Sequence, residues 1–208
     1  MSLDTLFSAF VTLLLVVDPL GLVPTYIAIT DGLPAALRRH VAARACIIAA
    51  VVLTGAAIGG DWLFRLVGIT LPAFRIAGGL LLFSIASEMV FGLRIERQSK
   101  AAEQAIEEHV RNIAAFPLAI PLMAGPGAIT ATVLLAGRDI GNPAALTLLV
   151  GVIFVVLAIC YAAFLAGGRI AKALGITGNV VLSRLLGVLL AALAVQYVID
   201  GIRAVLAG

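Results

Sequence analysis

Charge is what this chain has least of: Asp, Glu, Lys and Arg make up 12% of its 208 residues. A soluble domain of that length carries about 25%, so a water-dissolved fold is excluded. Two cysteines occur, Cys46 and Cys160, both inside apolar runs. They read as small buried hydrophobes and offer neither a disulfide framework nor a metal set. The two histidines, His40 and His109, fall between apolar runs, so no histidine relay passes through one. There is no His/Glu metal pair at helical spacing, no nucleophile elbow and no phosphate loop. An enzyme is therefore not expected, and no cofactor is implied. The net charge of +3 leaves no footprint for nucleic acid.

What fills the chain is apolar. Hydrophobic residues reach 62% and the mean hydropathy is +1.18, which marks an integral membrane protein. Six stretches approach the roughly 20 residues a spanning helix needs, near Leu6–Ile29, Val41–Gly59, Leu71–Phe91, Ile113–Leu135, Ala144–Ala166 and Val180–Leu206. The first lacks a basic leader, Asp4 being the sole charge ahead of it, and no small-residue cleavage site follows. It is expected to be retained rather than removed as a signal peptide. Arg38, Arg39, Arg44, Arg94, Arg97, Lys100, Arg111, Arg169 and Lys172 cluster in the odd-numbered loops, against Arg65, Arg138 and Arg203 in the even ones. Positive residues stay inside, so both termini are expected to face outward, with Trp62 in an outer interfacial belt. Short connections such as Gly141-Asn142-Pro143 leave no room for an extramembrane domain.

The two halves resemble each other at an offset of about 107 residues. Pro19 then meets Pro126, Thr25 meets Thr132, and Gly68-Ile69-Thr70 meets Gly175-Ile176-Thr177; two residues later in register, Arg75-x-x-Gly78 meets Arg184-x-x-Gly187. Breakers and charges are rare in such a chain, so their alignment carries weight. Each half holds an odd number of spans, so the second must enter the membrane from the opposite side, as in inverted-repeat transporters. The expected fold is all-α and membrane-embedded, with helices 1 and 4 broken: a first three-helix repeat over 1–93, a cytoplasmic connector over 94–111, and a second repeat over 112–208. The connector reads as a short solvated helix.

Spans one and four are interrupted at matching places. In Val16–Thr25, Pro19 cannot donate to the carbonyl four residues back and clashes with it, and Gly21 tolerates an unwound backbone. A new half-helix is expected near Leu22, with Pro24 acceptable in its first turn. Its N-terminus would suit a carboxylate, while Asp18 would suit an ammonium group or a coupling cation. The bland alternative is a proline kink with Asp18 paired to an arginine. In the second break, Pro117–Thr130, the run Gly125-Pro126-Gly127 allows close backbone approach, and Thr130 and Thr132 offer hydroxyls; close helix packing through small residues accounts for it equally. Irregular backbone at this depth survives only against protein or a water-filled cavity, and intramembrane charge marks function by default. Arg75 and Arg184 sit about one turn inside their spans. Each is either an anchor snorkelling to the interface or a gate and charge partner for Asp18 or substrate. Glu88 is expected at the cytoplasmic interface, and Gly78-Gly79 at a tight helix crossing.

Three motifs carry a resemblance: DPLGLVP (Asp18–Pro24), FRIAGGLLLFSIASEM (Phe74–Met89) and PLAIPLMAGPGAIT (Pro117–Thr130). With them the chain resembles, over essentially its whole length, the MarC family of bacterial inner-membrane proteins. That family includes the SnatA-type small neutral amino acid transporters and lies in the LysE-type exporter superfamily. In many relatives an asparagine follows the glycine of the first motif, where this chain has Leu22. The resemblance implies a secondary carrier for glycine- or alanine-like substrates. Asp18 would hold the amino group or a coupling H⁺ or Na⁺. Pro19, Gly21 and Thr25 would frame one half of the site, and Gly125, Pro126, Gly127 and Thr130 the other. The expected partners are that small molecule and the lipid bilayer, with a homo-oligomer left open. Export of another small metabolite and a non-transporting scaffold remain the alternatives.

Overall fold

Without water to receive backbone hydrogen bonds, each segment must satisfy its own N–H and C=O groups. The described residues accordingly form helices and no strand. The structure is a computed structural model and describes residues 3–107, 112–137 and 142–207; His109, Arg111, Arg138 and Gly141 lie outside them. In chain order the helices are α1 (Leu3–Val17), α2 (Leu22–Ile29), α3 (Ala35–Val67), α4 (Leu71–Phe91) and α5 (Leu93–Glu107). An irregular coiled segment, Ala114–Met123, follows, then α6 (Pro126–Ala136), α7 (Pro143–Leu165) and α8 (Gly167–Ala207).

Four stretches are long and apolar enough to span singly: Ala35–Gly60 of α3, α4, α7, and Thr177–Ala207 of α8. Two further pairs qualify together but are bent, α1 with α2 by 45° and Ala114–Met123 with α6 by 55°. Counting each bent pair as one gives up to six spans and a multi-pass membrane protein. The first and fourth spans are thus the broken ones, as the prolines and glycines indicate. Two boundaries differ from expectation. The third helix starts at Ala35, so Arg38, Arg39, His40 and Arg44 ride on its opening turns rather than in a loop. The eighth begins at Gly167 and is interrupted at Gly175 before its spanning part.

Local chemistry sets the ends. The Asn142 side chain accepts from Ala144 N at 3.1 Å and Ala145 N at 3.2 Å, and Pro143 opens α7. Thr70 Oγ1 accepts from Ala73 N at the start of α4, and Gly92 ends it in the left-handed region, φ 82°. Packing is governed by small residues. A Cβ on Gly79 would lie 2.7 Å from the Ala194 carbonyl oxygen, one on Gly187 2.8 Å from Met89 Cβ, and one on Gly201 2.9 Å from the Pro72 carbonyl oxygen. These three contacts run α4 and α8 antiparallel with their backbones nearly touching. Gly78 turns the other way, toward Thr130 and Leu134 of α6. Tyr26 pins α2 down: its ring stacks on Phe164 of α7 at 4.6 Å, and its hydroxyl donates to the Arg38 carbonyl of α3 at 2.9 Å. Outward-facing Phe7, Val51, Phe83, Phe154 and Leu189 form an apolar surface for lipid.

The connector differs most from its sequence reading. On α5, Arg94, Gln98 and Ala102 are buried at one-turn spacing, while Glu96, Lys100 and Glu103 are exposed. One face is solvated; the other packs into the protein.

Candidate functional site: the cavity at the two breaks

Asp18 ends α1 with its backbone in the left-handed region, φ 54°, a conformation that Asp tolerates better than most residues. It is 2% exposed. Its Oδ1 accepts from Gly21 N at 3.1 Å, and its own carbonyl accepts from Leu22 N at 3.2 Å. Any Cβ on Gly21 would collide with the carboxylate, which is the steric reason a glycine stands there. Val23 N is taken by the Leu20 carbonyl at 3.2 Å. The start of α2 is therefore capped from within, and the expectation of a free anion site there does not hold. Pro19, Gly21 and Thr25 are buried beside Asp18.

The second break is built differently. Phe116 and Ile120 are extended (φ −133° and −127°), as residues before proline prefer, and they interrupt the coil ahead of Pro117 and Pro121. Gly125 is extended, φ −79° and ψ 178°, and precedes Pro126 at the first position of α6. A Cβ on Gly125 would strike the Pro121 carbonyl oxygen, and one on Gly127 would strike Ile85 Cδ1. No side chain caps α6. Ile129 N reaches the Gly125 carbonyl at 3.0 Å, while the N–H groups of Gly127 and Ala128 find no acceptor among the described residues. This helix end, unlike that of α2, is open.

The two breaks meet. The Cβ position of Gly127 lies 3.4 Å from Val16 Cγ1, at the end of α1. Beside that contact is a cavity of about 360 Å³, lined by Val16, by Leu81, Ser84, Ile85 and Glu88 of α4, by Arg94, Arg97, Gln98 and Ala101 of α5, and by Pro121, Leu122 and Gly125–Ala128. The volume falls at the small end of ligand pockets, about 300–1,000 Å³. Along α4 the lining runs from Leu81, midway, to Glu88 near the end, roughly 10 Å by helical rise. It opens toward α5. At that end Arg97 Nη1 lies 3.0 Å from both Glu88 carboxylate oxygens.

Of the residues singled out in the sequence, Gly125, Pro126 and Gly127 line the cavity directly. Asp18 stands behind its wall, two residues past Val16. Thr130 is buried with its methyl against Gly78, and Thr132 donates to the Ala128 carbonyl of its own helix at 2.7 Å. Arg75 packs beside Gly201 and Arg184 is exposed on α8; neither reaches the cavity. The arginine that acts electrostatically on Asp18 is Arg94. Its Nη2 donates to the Val16 carbonyl at 2.7 Å, one of the carbonyls that the break leaves without a helical partner. Sequence reasoning missed Arg94 because it stands among the basic residues that set topology. The available signal was the polar stripe Arg94/Gln98 at one-turn spacing. Among the described residues no group of three or more His, Cys, Asp or Glu is placed to share a metal ion.

Comparison with known proteins agrees with this architecture. The chain is 36% identical to a UPF0056 membrane protein of Methanocaldococcus jannaschii, over 99% of this chain and 100% of that one. It is 39% identical to a UPF0056 membrane protein of Aquifex aeolicus (94% and 91% covered) and 34% identical to the UPF0056 membrane protein YhcE of Escherichia coli (97% and 94%). No solved structure matches it. Residues 3–206 match the family described as MarC family integral membrane protein, and the chain belongs to that family.

Proposed function

We propose that the protein is a secondary carrier of small neutral amino acids, glycine- or alanine-like, working by alternating access across a bacterial inner membrane. The observation that carries this reading is the meeting of two helix breaks beside a small, largely apolar cavity with a few charged and polar groups in its wall. Gly125 and Gly127 line that cavity without side chains, which leaves backbone exposed to a ligand and suits one with almost no side chain. The N–H groups of Gly127 and Ala128 can receive a carboxylate. Glu88 and Gln98 offer oxygens to an ammonium group. Asp18 holds the first break in shape and fixes the charge balance behind the cavity wall. In this reading the SnatA-type and LysE-type likenesses apply, and H⁺ or Na⁺ remains the candidate coupling ion.

Alternating access needs two halves that rock about a common site. The inverted repeat is supported by Gly68 and Gly175, which the sequence offset pairs. Both take positive φ, 75° and 61°, just before the third span of their half. Basic residues concentrate on the side where α5 lies, which favours a cytoplasmic α5 with both termini outside. Labelled glycine and alanine, offered to proteoliposomes under imposed proton or sodium gradients, should enter saturably, and the Asp18→Asn protein, though folded, should carry neither. Normal coupled uptake by that variant contradicts the role given to Asp18. No uptake of either amino acid by folded wild-type protein removes the substrate class.

A further inference from the structure

Three titratable side chains line the cavity, and their charges do not cancel. Glu88 and Arg97 neutralise one another at 3.0 Å, which leaves Arg94 in the cavity wall with its opposite charge, Asp18, behind that wall and not lining the cavity. Arg94 is 5% exposed, so bulk solvent does little to stabilise it. A guanidinium carries five N–H donors and no acceptor. The fold uses two of them: Nη2 on the Val16 carbonyl at 2.7 Å, and Nη1 on Met89 Sδ at 3.4 Å, a weak acceptor. No other hydrogen-bond acceptor among the described residues engages this group. Asp18 supplies opposite charge from behind the wall, but its Oδ1 is committed to the Gly21 N–H. A buried cation with donors to spare is costly unless something anionic meets it. The same cavity holds the open end of α6, where the N–H groups of Gly127 and Ala128 also lack acceptors among the described residues.

We propose that Arg94 is the carboxylate receptor of this cavity, gripping the anionic end of a small substrate while the first N–H groups of α6 take its second oxygen. The inference deepens the carrier reading and rests on it for the size and kind of substrate. It also moves the substrate's carboxylate contact onto the connector helix, a part of the chain outside both sets of spans. Arg94 already ties α5 to the last turn of α1, so binding at its free donors engages the first break and the connector together. A planar fork suits two carboxylate oxygens in a way that a lysine point charge does not.

Calorimetric titration of the purified protein in detergent tests this, with glycine, acetate and glycinamide as probes. Wild-type protein should bind glycine and acetate and should prefer glycine over glycinamide by about tenfold or more, the scale of a hydrogen bond to a charged group. In Arg94→Gln, affinity for both carboxylates should fall about tenfold or more, and the preference over glycinamide should vanish. Arg94→Lys should lie between. If Arg94→Gln does not give monodisperse protein, Arg94→Lys carries the same comparison. Unchanged glycine affinity in either variant, or a preference over glycinamide as large as that of the wild type, overturns the assignment. So does the failure of folded wild-type protein to bind either carboxylate. Arg94-dependent binding of acetate without glycine keeps the receptor and removes the amino acid reading.

Discussion

Asp18 and Gly21 form a single structural device. A proline after Asp18 ends α1, the aspartate turns left-handed, and its carboxylate folds back to cap the next helix, against a residue that must lack a Cβ. Gly21→Ala should therefore destabilise the protein by about 1–3 kcal/mol, as overpacking does. Thermal unfolding in detergent should show a clear fall in Tm. Gly55→Ala is the matched control: nothing lies within 4 Å of its Cβ position, and it should be neutral or stabilising by up to about 1 kcal/mol. Equal losses in the two variants contradict the steric account. Asp18 and its glycine were legible in the sequence because a carboxylate and breakers in an apolar run demand a reason. Their geometry was not. Whether the start of α2 is open or self-capped depends on the direction of one carboxylate, which no spacing rule fixes.

At the scale of elements, the hydrophobic runs gave the spans and the prolines gave the breaks. α4 falls on Leu71–Phe91 in both readings. The Gly78-Gly79 pair also sits at a helix crossing, one residue against α6 and the next against α8. Gly79→Val should weaken that crossing by about 1–3 kcal/mol, because the Cβ would meet the Ala194 carbonyl oxygen, which is backbone and cannot swing away. Unfolding temperature compared with Gly59→Val, whose Cβ position is open, checks it. What composition hid was α5. A helix with Glu96, Lys100 and Glu103 outward reads as solvated, and the burial of Arg94 and Gln98 depends on which face meets the bundle. Polar residues at a buried interface look, in sequence, like polar residues in water. Likewise Phe116 and Ile120 are extended because prolines follow them, but whether a coil resumes between them depends on packing.

For the whole molecule, the distribution of basic residues predicts an orientation in the membrane. Glu103→Cys, on the exposed face of α5, should react with a membrane-impermeant thiol reagent only from the cytoplasmic side, and Trp62→Cys only from outside, in a background lacking Cys46 and Cys160. The opposite pattern would reverse the orientation of the bundle in the membrane and leave the fold untouched. In the proposed function the cavity between the two breaks passes a small amino acid from one side to the other. Counterflow tests it most directly: proteoliposomes preloaded with unlabelled glycine, with no ion gradient imposed, are offered labelled glycine outside. The account predicts transient accumulation of label by wild-type protein and none by folded Gly125→Leu, whose side chain would enter the second break. Equal accumulation in both would contradict the placement of the site, and folded wild-type protein that exchanges no glycine or alanine would contradict the carrier itself.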